Sequence, residues 1–120
     1  MKTVLVVDDY ASVRFYHMTL LRNAGYAPLA ASGGAEALAL LDKQTVDLVM
    51  LDLLMPTMTG REVVQRIRAL PRYVGLPVLV ITSEADHPDL AGIKSDPACR
   101  VLTKPILPAV LLQEIHRLIG

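Results

Sequence analysis

Apolar and polar positions along the chain fall into two alternating rhythms. Short runs rich in Val, Leu and Ile recur at Val4 to Val7, Leu48 to Leu51 and Val78 to Ile81, each ending in a polar group. Strands buried on both faces read this way, as continuous apolar runs rather than alternating ones. Weaker runs at Pro28 to Ala31 and Arg100 to Thr103 bring the predicted strands to five. Between them the spacing becomes helical. Val13, Tyr16, His17, Leu20, Leu21 and Ala24 mark the buried stripe of a first helix that Gly25 closes. Ala37, Leu38 and Leu41 mark a second after Gly33-Gly34, and Val63, Val64 and Ile67 a third between Gly60 and Pro71. Pro88 to Asp96 is the poorest helical segment, with Gly92 inside it and Pro97 behind it. The last helix starts near Pro108, a residue tolerated in a first turn, and carries Leu111, Ile115 and Leu118 inward.

Strict alternation of strand and helix implies right-handed crossovers and a parallel sheet covered on both faces. The expected fold is therefore α/β, a three-layer, doubly wound, five-stranded parallel sheet, and residues 1–120 read as one domain without internal repeats. In such open sheets, ligands bind beyond the carboxyl ends of the strands.

Charge and composition narrow the function. Twelve basic and twelve acidic residues cancel, and one Phe, four Tyr and no Trp leave few stacking platforms. Nothing marks a nucleic-acid footprint, so no nucleic-acid partner is expected. The apolar start of "MKTVLVVDD" is cut at Asp8 and Asp9, too short for a signal segment or a membrane span. Cys99 stands alone, which excludes an internal disulfide. A cytoplasmic protein with no membrane partner is the expectation. His17 reads as a half-buried, hydrogen-bonded histidine and Cys99 as a small buried apolar group, neither with assigned chemistry.

The strand ends hold the candidate chemistry: Asp8-Asp9 after the first, Asp52 after the third, Thr82-Ser83 after the fourth and Lys104-Pro105 after the fifth. Taken singly, these read as helix N-terminal acids, a solvated acid, a capping threonine and a solvated lysine. Taken together, three carboxylates on one edge repel unless a cation joins them. Carboxylates with a backbone carbonyl and water suit Mg²⁺, which commonly serves phosphate chemistry. Lys104 adds a mobile positive charge for a phosphoryl oxygen and Thr82 a hydroxyl donor, so the set suits a carboxylate nucleophile that becomes an aspartyl phosphate.

The stretches "VLVVDD", "MLDLLMPTMTG", "PVLVITSEAD" and "LTKP", in this order, resemble the receiver domains of two-component response regulators, of the stand-alone CheY-like kind. The resemblance covers essentially the whole chain and implies the strand order 2-1-3-4-5. It implies that Asp52 accepts phosphate from a histidine kinase or a histidine phosphotransfer protein. Asp9 is then the direct metal ligand, Asp8 the water-mediated one and the Leu54 carbonyl a third. Thr82, followed by Ser83, is the switch hydroxyl, and Lys104 binds the phosphate, its peptide bond to Pro105 usually cis in the family. On this reading the chain is a signalling module, not an enzyme beyond its own phosphorylation and dephosphorylation.

The chain also departs from the family. Val101 replaces the usual rotating aromatic, Pro97-Ala98 replaces the usual Gly-Ala turn, and Leu54 and Glu84 occupy the pair that tunes dephosphorylation. Arg14, Phe15, Met18 and Arg22 are expected on a kinase-facing side of the first helix. Leu107, Val110 and Leu112 are expected on an output face of helix four, strand five and helix five that meets a downstream protein or a second copy of the chain. The alternative reading is a receiver-fold interaction module whose partner binding ignores phosphate. A flavodoxin would need a Ser/Thr/Gly-rich loop where Asp8-Asp9 stand, and an aspartate-nucleophile phosphatase a second acid where Leu54 stands.

Overall fold

The computed structural model describes all residues, 1–120. Five strands, β1 (Thr3–Val7), β2 (Ala27–Ala31), β3 (Leu48–Asp52), β4 (Val78–Thr82) and β5 (Cys99–Thr103), form one parallel sheet in the order β2-β1-β3-β4-β5. They alternate with α1 (Ala11–Asn23), α2 (Gly34–Lys43), α3 (Gly60–Arg68), α4 (Leu90–Lys94) and α5 (Pro108–Ile119), and a 3₁₀ turn spans Pro71–Tyr73. The doubly wound topology and strand order are those expected. No helix is long and apolar enough to cross a membrane.

Side chains on a strand point alternately to its two faces, so each apolar run feeds two cores. Leu5, Val7, Val49, Leu51, Val78 and Val80 pack with Ala37, Leu41, Val63, Ile67, Leu90 and Ile93. On the opposite face Val4, Val6, Leu48, Met50, Leu79 and Ile81 pack with Leu21, Leu111 and Ile115. Fully burying each such side chain is worth roughly 1.5–3 kcal/mol.

The helices start and stop by local chemistry. Gly25, at φ +94°, ends α1 in a left-handed turn, with the Gly25 amide donating to Arg22 O at 3.1 Å and the Tyr26 amide to Leu21 O at 3.0 Å. Thr59 caps α3, its hydroxyl oxygen accepting from the Glu62 amide at 3.3 Å. Gly60 is required by contact: a Cβ there would lie 2.8 Å from Leu53 Cα and 2.9 Å from Asp52 O.

The face of α1 differs from expectation. Tyr16 is 50% exposed and Ala24 is exposed, whereas Met18, expected on the open side, packs against the second core. The buried face centres on His17 and Leu21, with Val13, Met18 and Leu20 beside them, so the expected stripe holds at Val13, His17, Leu20 and Leu21 and differs at Tyr16, Met18 and Ala24. Leu112 is likewise half-buried against the core, leaving Leu107 and Val110 as the exposed apolar groups at the start of α5. The poor helical signal from Pro88 to Asp96 yields a helix of only five residues.

A polar node clamps the end of α3 to the α4–β5 turn. Arg68 Nε donates to Asp96 Oδ2 at 2.6 Å, Nη1 to Tyr73 O at 3.0 Å and Nη2 to Cys99 Sγ at 3.6 Å. Asp96 Oδ1 accepts from the Ala98 amide at 2.9 Å, which fixes the Pro97-Ala98 turn. Burial works against the Asp96 carboxylate, yet the bonds from Arg68 and Ala98 together with the Arg68 charge hold its pKa below the usual carboxylate value. A depressed folded pKa contributes stability that is present above the unfolded value and lost as pH falls through the folded one. Arg68→Ala should therefore cost about 2 kcal/mol in urea unfolding at pH 7, and the difference from the parent should shrink below about pH 4. A pH-independent difference would place the effect in packing alone.

Candidate functional site

Strand register assembles the strand-end residues. Val7 lies opposite Leu51, so Asp8 and Asp52 leave the sheet side by side. Asp52 lies opposite Ile81 and Thr82 opposite Thr103, which brings Thr82 and then Lys104 onto the same edge.

Three of these residues leave the sheet by the same local device, a side chain accepting the amide two residues on. Asp8 Oδ1 accepts from Tyr10 N at 2.9 Å, Asp52 Oδ1 from Leu54 N at 3.2 Å and Thr82 Oγ1 from Glu84 N at 3.0 Å. The Thr82 hydroxyl, its oxygen engaged as an acceptor, keeps its proton to donate. The other oxygen of Asp52, Oδ2, lies 3.6 Å from Lys104 Nζ. The Lys104–Pro105 bond is cis, as the resemblance implies. The Lys104 amide donates to Thr82 O at 2.8 Å, joining the two strand ends.

The carboxylates of Asp8, Asp9 and Asp52 each offer an oxygen within 4.8 Å of the others. Asp9 Oδ1 is buried and has no hydrogen-bond partner in the chain. A buried, unpartnered carboxylate oxygen on one member of a three-carboxylate cluster fits a hard divalent cation, and the all-oxygen donor set is the one Mg²⁺ prefers. Asp8 is 4% exposed, and this burial raises its pKa; the Tyr10 amide opposes the rise, the Asp52 carboxylate adds to it, Lys104 opposes it and Asp9 adds to it.

The remaining predicted residues are more dispersed. Leu54 is exposed beside Asp52, Ser83 and Glu84 are exposed beyond β4, and Val101 is half-buried against the first core. Phe15 is 71% exposed on α1, whereas Arg14 is tied down, its Nη1 donating to Asp8 O at 2.7 Å. His17 is buried beneath the site, lining one small cavity with Asp8 and Asp52. Burial, with Lys104 adding and Asp52 opposing, lowers its pKa. The sequence reading missed the tethers from Tyr10, Leu54 and Arg14. A residue with a polar, turn-forming side chain at each strand end is the signal from which the first two could be found.

Comparison with known proteins follows the same lines. The family described as response regulator receiver domain matches residues 4–116. The chemotaxis protein CheY of Pseudomonas aeruginosa is 32% identical over 116 residues, covering 96% of this chain and 94% of that protein. The CAI-1 autoinducer sensor kinase/phosphatase CqsS of Vibrio cholerae is 31% identical over 115 residues, which is 95% of this chain but 17% of that protein. Among solved structures, Vibrio cholerae CheY4 superposes with a TM-score of 0.91 at 36% identity, covering 98% of both chains.

A carboxylate whose folded pKa is raised contributes stability below its unfolded pKa that is lost as pH rises through the folded one, so ionised Asp8 opposes folding at neutral pH. Asp8→Asn should therefore stabilise the cation-free protein by about 1 kcal/mol at pH 7, with the gain fading toward pH 3. Thermal unfolding in excess chelator measures it, and a destabilised variant at pH 7 would contradict the cost of ionising buried Asp8.

Proposed function

This chain belongs to the response regulator receiver domain family of two-component signalling, and from that premise we propose that Asp52 accepts a phosphoryl group from a histidine kinase or histidine phosphotransfer protein. Residues 1–120 act as one receiver domain in this reading. Its main support is a single juxtaposition, Asp52 clustered with the carboxylates of Asp8 and Asp9 and 3.6 Å from the ammonium of Lys104.

The transfer is a displacement at phosphorus. An Asp52 carboxylate oxygen forms the new O–P bond while the N–P bond of the donor's phosphohistidine breaks, the electron pair and a proton going to the departing imidazole. Lys104 moves from Asp52 to a phosphoryl oxygen, and the Thr82 hydroxyl donates to another. Asp8, Asp9, Asp52 and the Leu54 carbonyl would hold Mg²⁺, which supplies charge neutralisation for the incoming phosphoryl oxygens. Hydrolysis later releases phosphate, with Leu54 and Glu84 flanking the approach of water. Beyond this self-directed chemistry the domain is a signalling module.

Intact-mass measurement after treatment with a small phosphodonor tests the site. One phosphoryl group should be gained with Mg²⁺ and none with chelator or in Asp52→Asn. Lys104→Ala should slow labelling on the order of a hundredfold while remaining folded. Equal labelling of Asp52→Asn would overturn the assignment.

The output reading rests on the α4, β5, α5 face. Val101 gives no aromatic rotor, so Thr82 moving toward the phosphoryl group would shift the loop that leads to the five-residue α4. Leu107, at 71% exposure, and Val110, at 45%, would then meet a downstream protein or a second copy. The exposed Phe15 on α1 faces the phosphodonor protein in this scheme. Because a switch requires different affinities in its two states, a beryllofluoride-loaded sample should change self-association or partner affinity and Val110→Glu should abolish that change. If neither treatment has any effect, the phosphate-independent interaction module becomes the better reading.

A further inference from the structure

Beside the strand-end carboxylates, on the α1 and α5 side of the sheet, lies a groove of about 470 Å³ that shares only Lys104 with the groups assigned to phosphoryl transfer. Its volume falls within the range of small-molecule sites, ~300–1,000 Å³. Val13, Ile106 and Leu111 supply aliphatic walls, and Tyr16 and His17, with ring centroids 5.3 Å apart, form an aromatic side.

The charge of the lining is one-sided. No carboxylate lines the groove, although three crowd the neighbouring site, and the only permanently charged group facing it is Lys104. That ammonium has three N–H donors, and its ion pair with Asp52 Oδ2 at 3.6 Å engages one direction only. The buried His17 imidazole also lines the groove and in its neutral form offers one N–H donor. A largely apolar cleft that presents an ammonium, an imidazole and the hydroxyls of Tyr16 and Ser83, and no carboxylate, is complementary to an amphipathic anion.

We propose that this groove binds a small organic carboxylate with an aromatic or branched apolar body, the body seated among Val13, Tyr16, Ile106 and Leu111 and the carboxylate met by Lys104 and His17. Binding needs neither cation nor phosphorylation, so it stands apart from the reading of Asp52. Since the ligand engages Lys104, occupancy would draw that side chain from Asp52 and make the domain responsive to a metabolite-sized acid.

Amide correlation spectra of the full ¹⁵N-labelled chain, in chelator, titrated separately with phenylacetate, phenylacetamide and acetate, test this. Phenylacetate should shift the amides of Val13, Ser83, Lys104 and Ile106 saturably, with a dissociation constant on the order of 1 mM for a ligand of about ten heavy atoms. Phenylacetamide and acetate should each bind at least about tenfold more weakly, reflecting loss of the charge and of the apolar body respectively. Val13→Phe, which fills the groove, and Ile106→Trp, which fills it from the other wall, should each weaken phenylacetate at least about tenfold. Having two filling variants guards against misfolding of either, since the same spectra report the fold. His17→Leu should weaken phenylacetate but not phenylacetamide. Unsaturable shifts overturn the proposal. So does equal affinity for phenylacetamide, which would make the groove a purely apolar seat of the kind a partner's side chain occupies. Undiminished binding in both filling variants places the ligand elsewhere and overturns it as well.

Discussion

Burial on both faces leaves the middle of β1, β3 and β4 no position for a polar side chain, and polar groups stand only at the strand ends. Val4 to Val7, Leu48 to Leu51 and Val78 to Ile81 are all at most 3% exposed. Removing such groups from water drives the fold, and it forces Asp8, Asp52 and Thr82 to the carboxyl ends. Parallel register then aligns those ends on one edge, so the concentration of unlike chemistry at a single place is a by-product of how the core is built. The cost falls on the carboxylates, above all on Asp8, which is nearly as buried as the core and opposes folding when ionised.

The loops leaving that edge are held by repetition of one device. At Asp8, Asp52 and Thr82 the side chain turns back to take the amide two residues on, which both bends the chain and fixes a side-chain oxygen in place. The β3–α3 loop has a second restraint, because the Gly60 amide donates to Leu53 O at 2.7 Å and the absent Cβ allows the backbones to approach. Groups fixed by backbone contacts need little reorganisation when charge arrives. The mobile member is Lys104, a point charge on a flexible stem.

Most of this was legible from side-chain chemistry, and the exceptions share a cause. Three strands begin one residue before their apolar runs, at Thr3, Ala27 and Cys99, because the backbone pairs without regard to side-chain type. The strand-end set could be listed from sequence because each member ends an apolar run, but its spacing could not, since register depends on contacts between distant segments. Tyr16 and Met18 exchanged places because both are large and apolar enough to fit either side of α1. The Arg68 node was invisible for a different reason: it joins residues 28 and 31 positions apart that carry no motif. Likewise, the groove against α1 arises only once α5 is set beside it.

The surroundings of Cys99 bear on how this molecule can be handled. Burial, with Asp96 adding to it and Arg68 opposing it, pushes the thiol pKa up to about 11. At neutral pH little of the reactive thiolate is then present, and Cys99 is itself buried. The native chain is thus nearly silent toward maleimides and iodoacetamides. A single cysteine introduced on an exposed position would be the one site that takes up a fluorophore or spin label, without first removing the native residue from the node it helps to close.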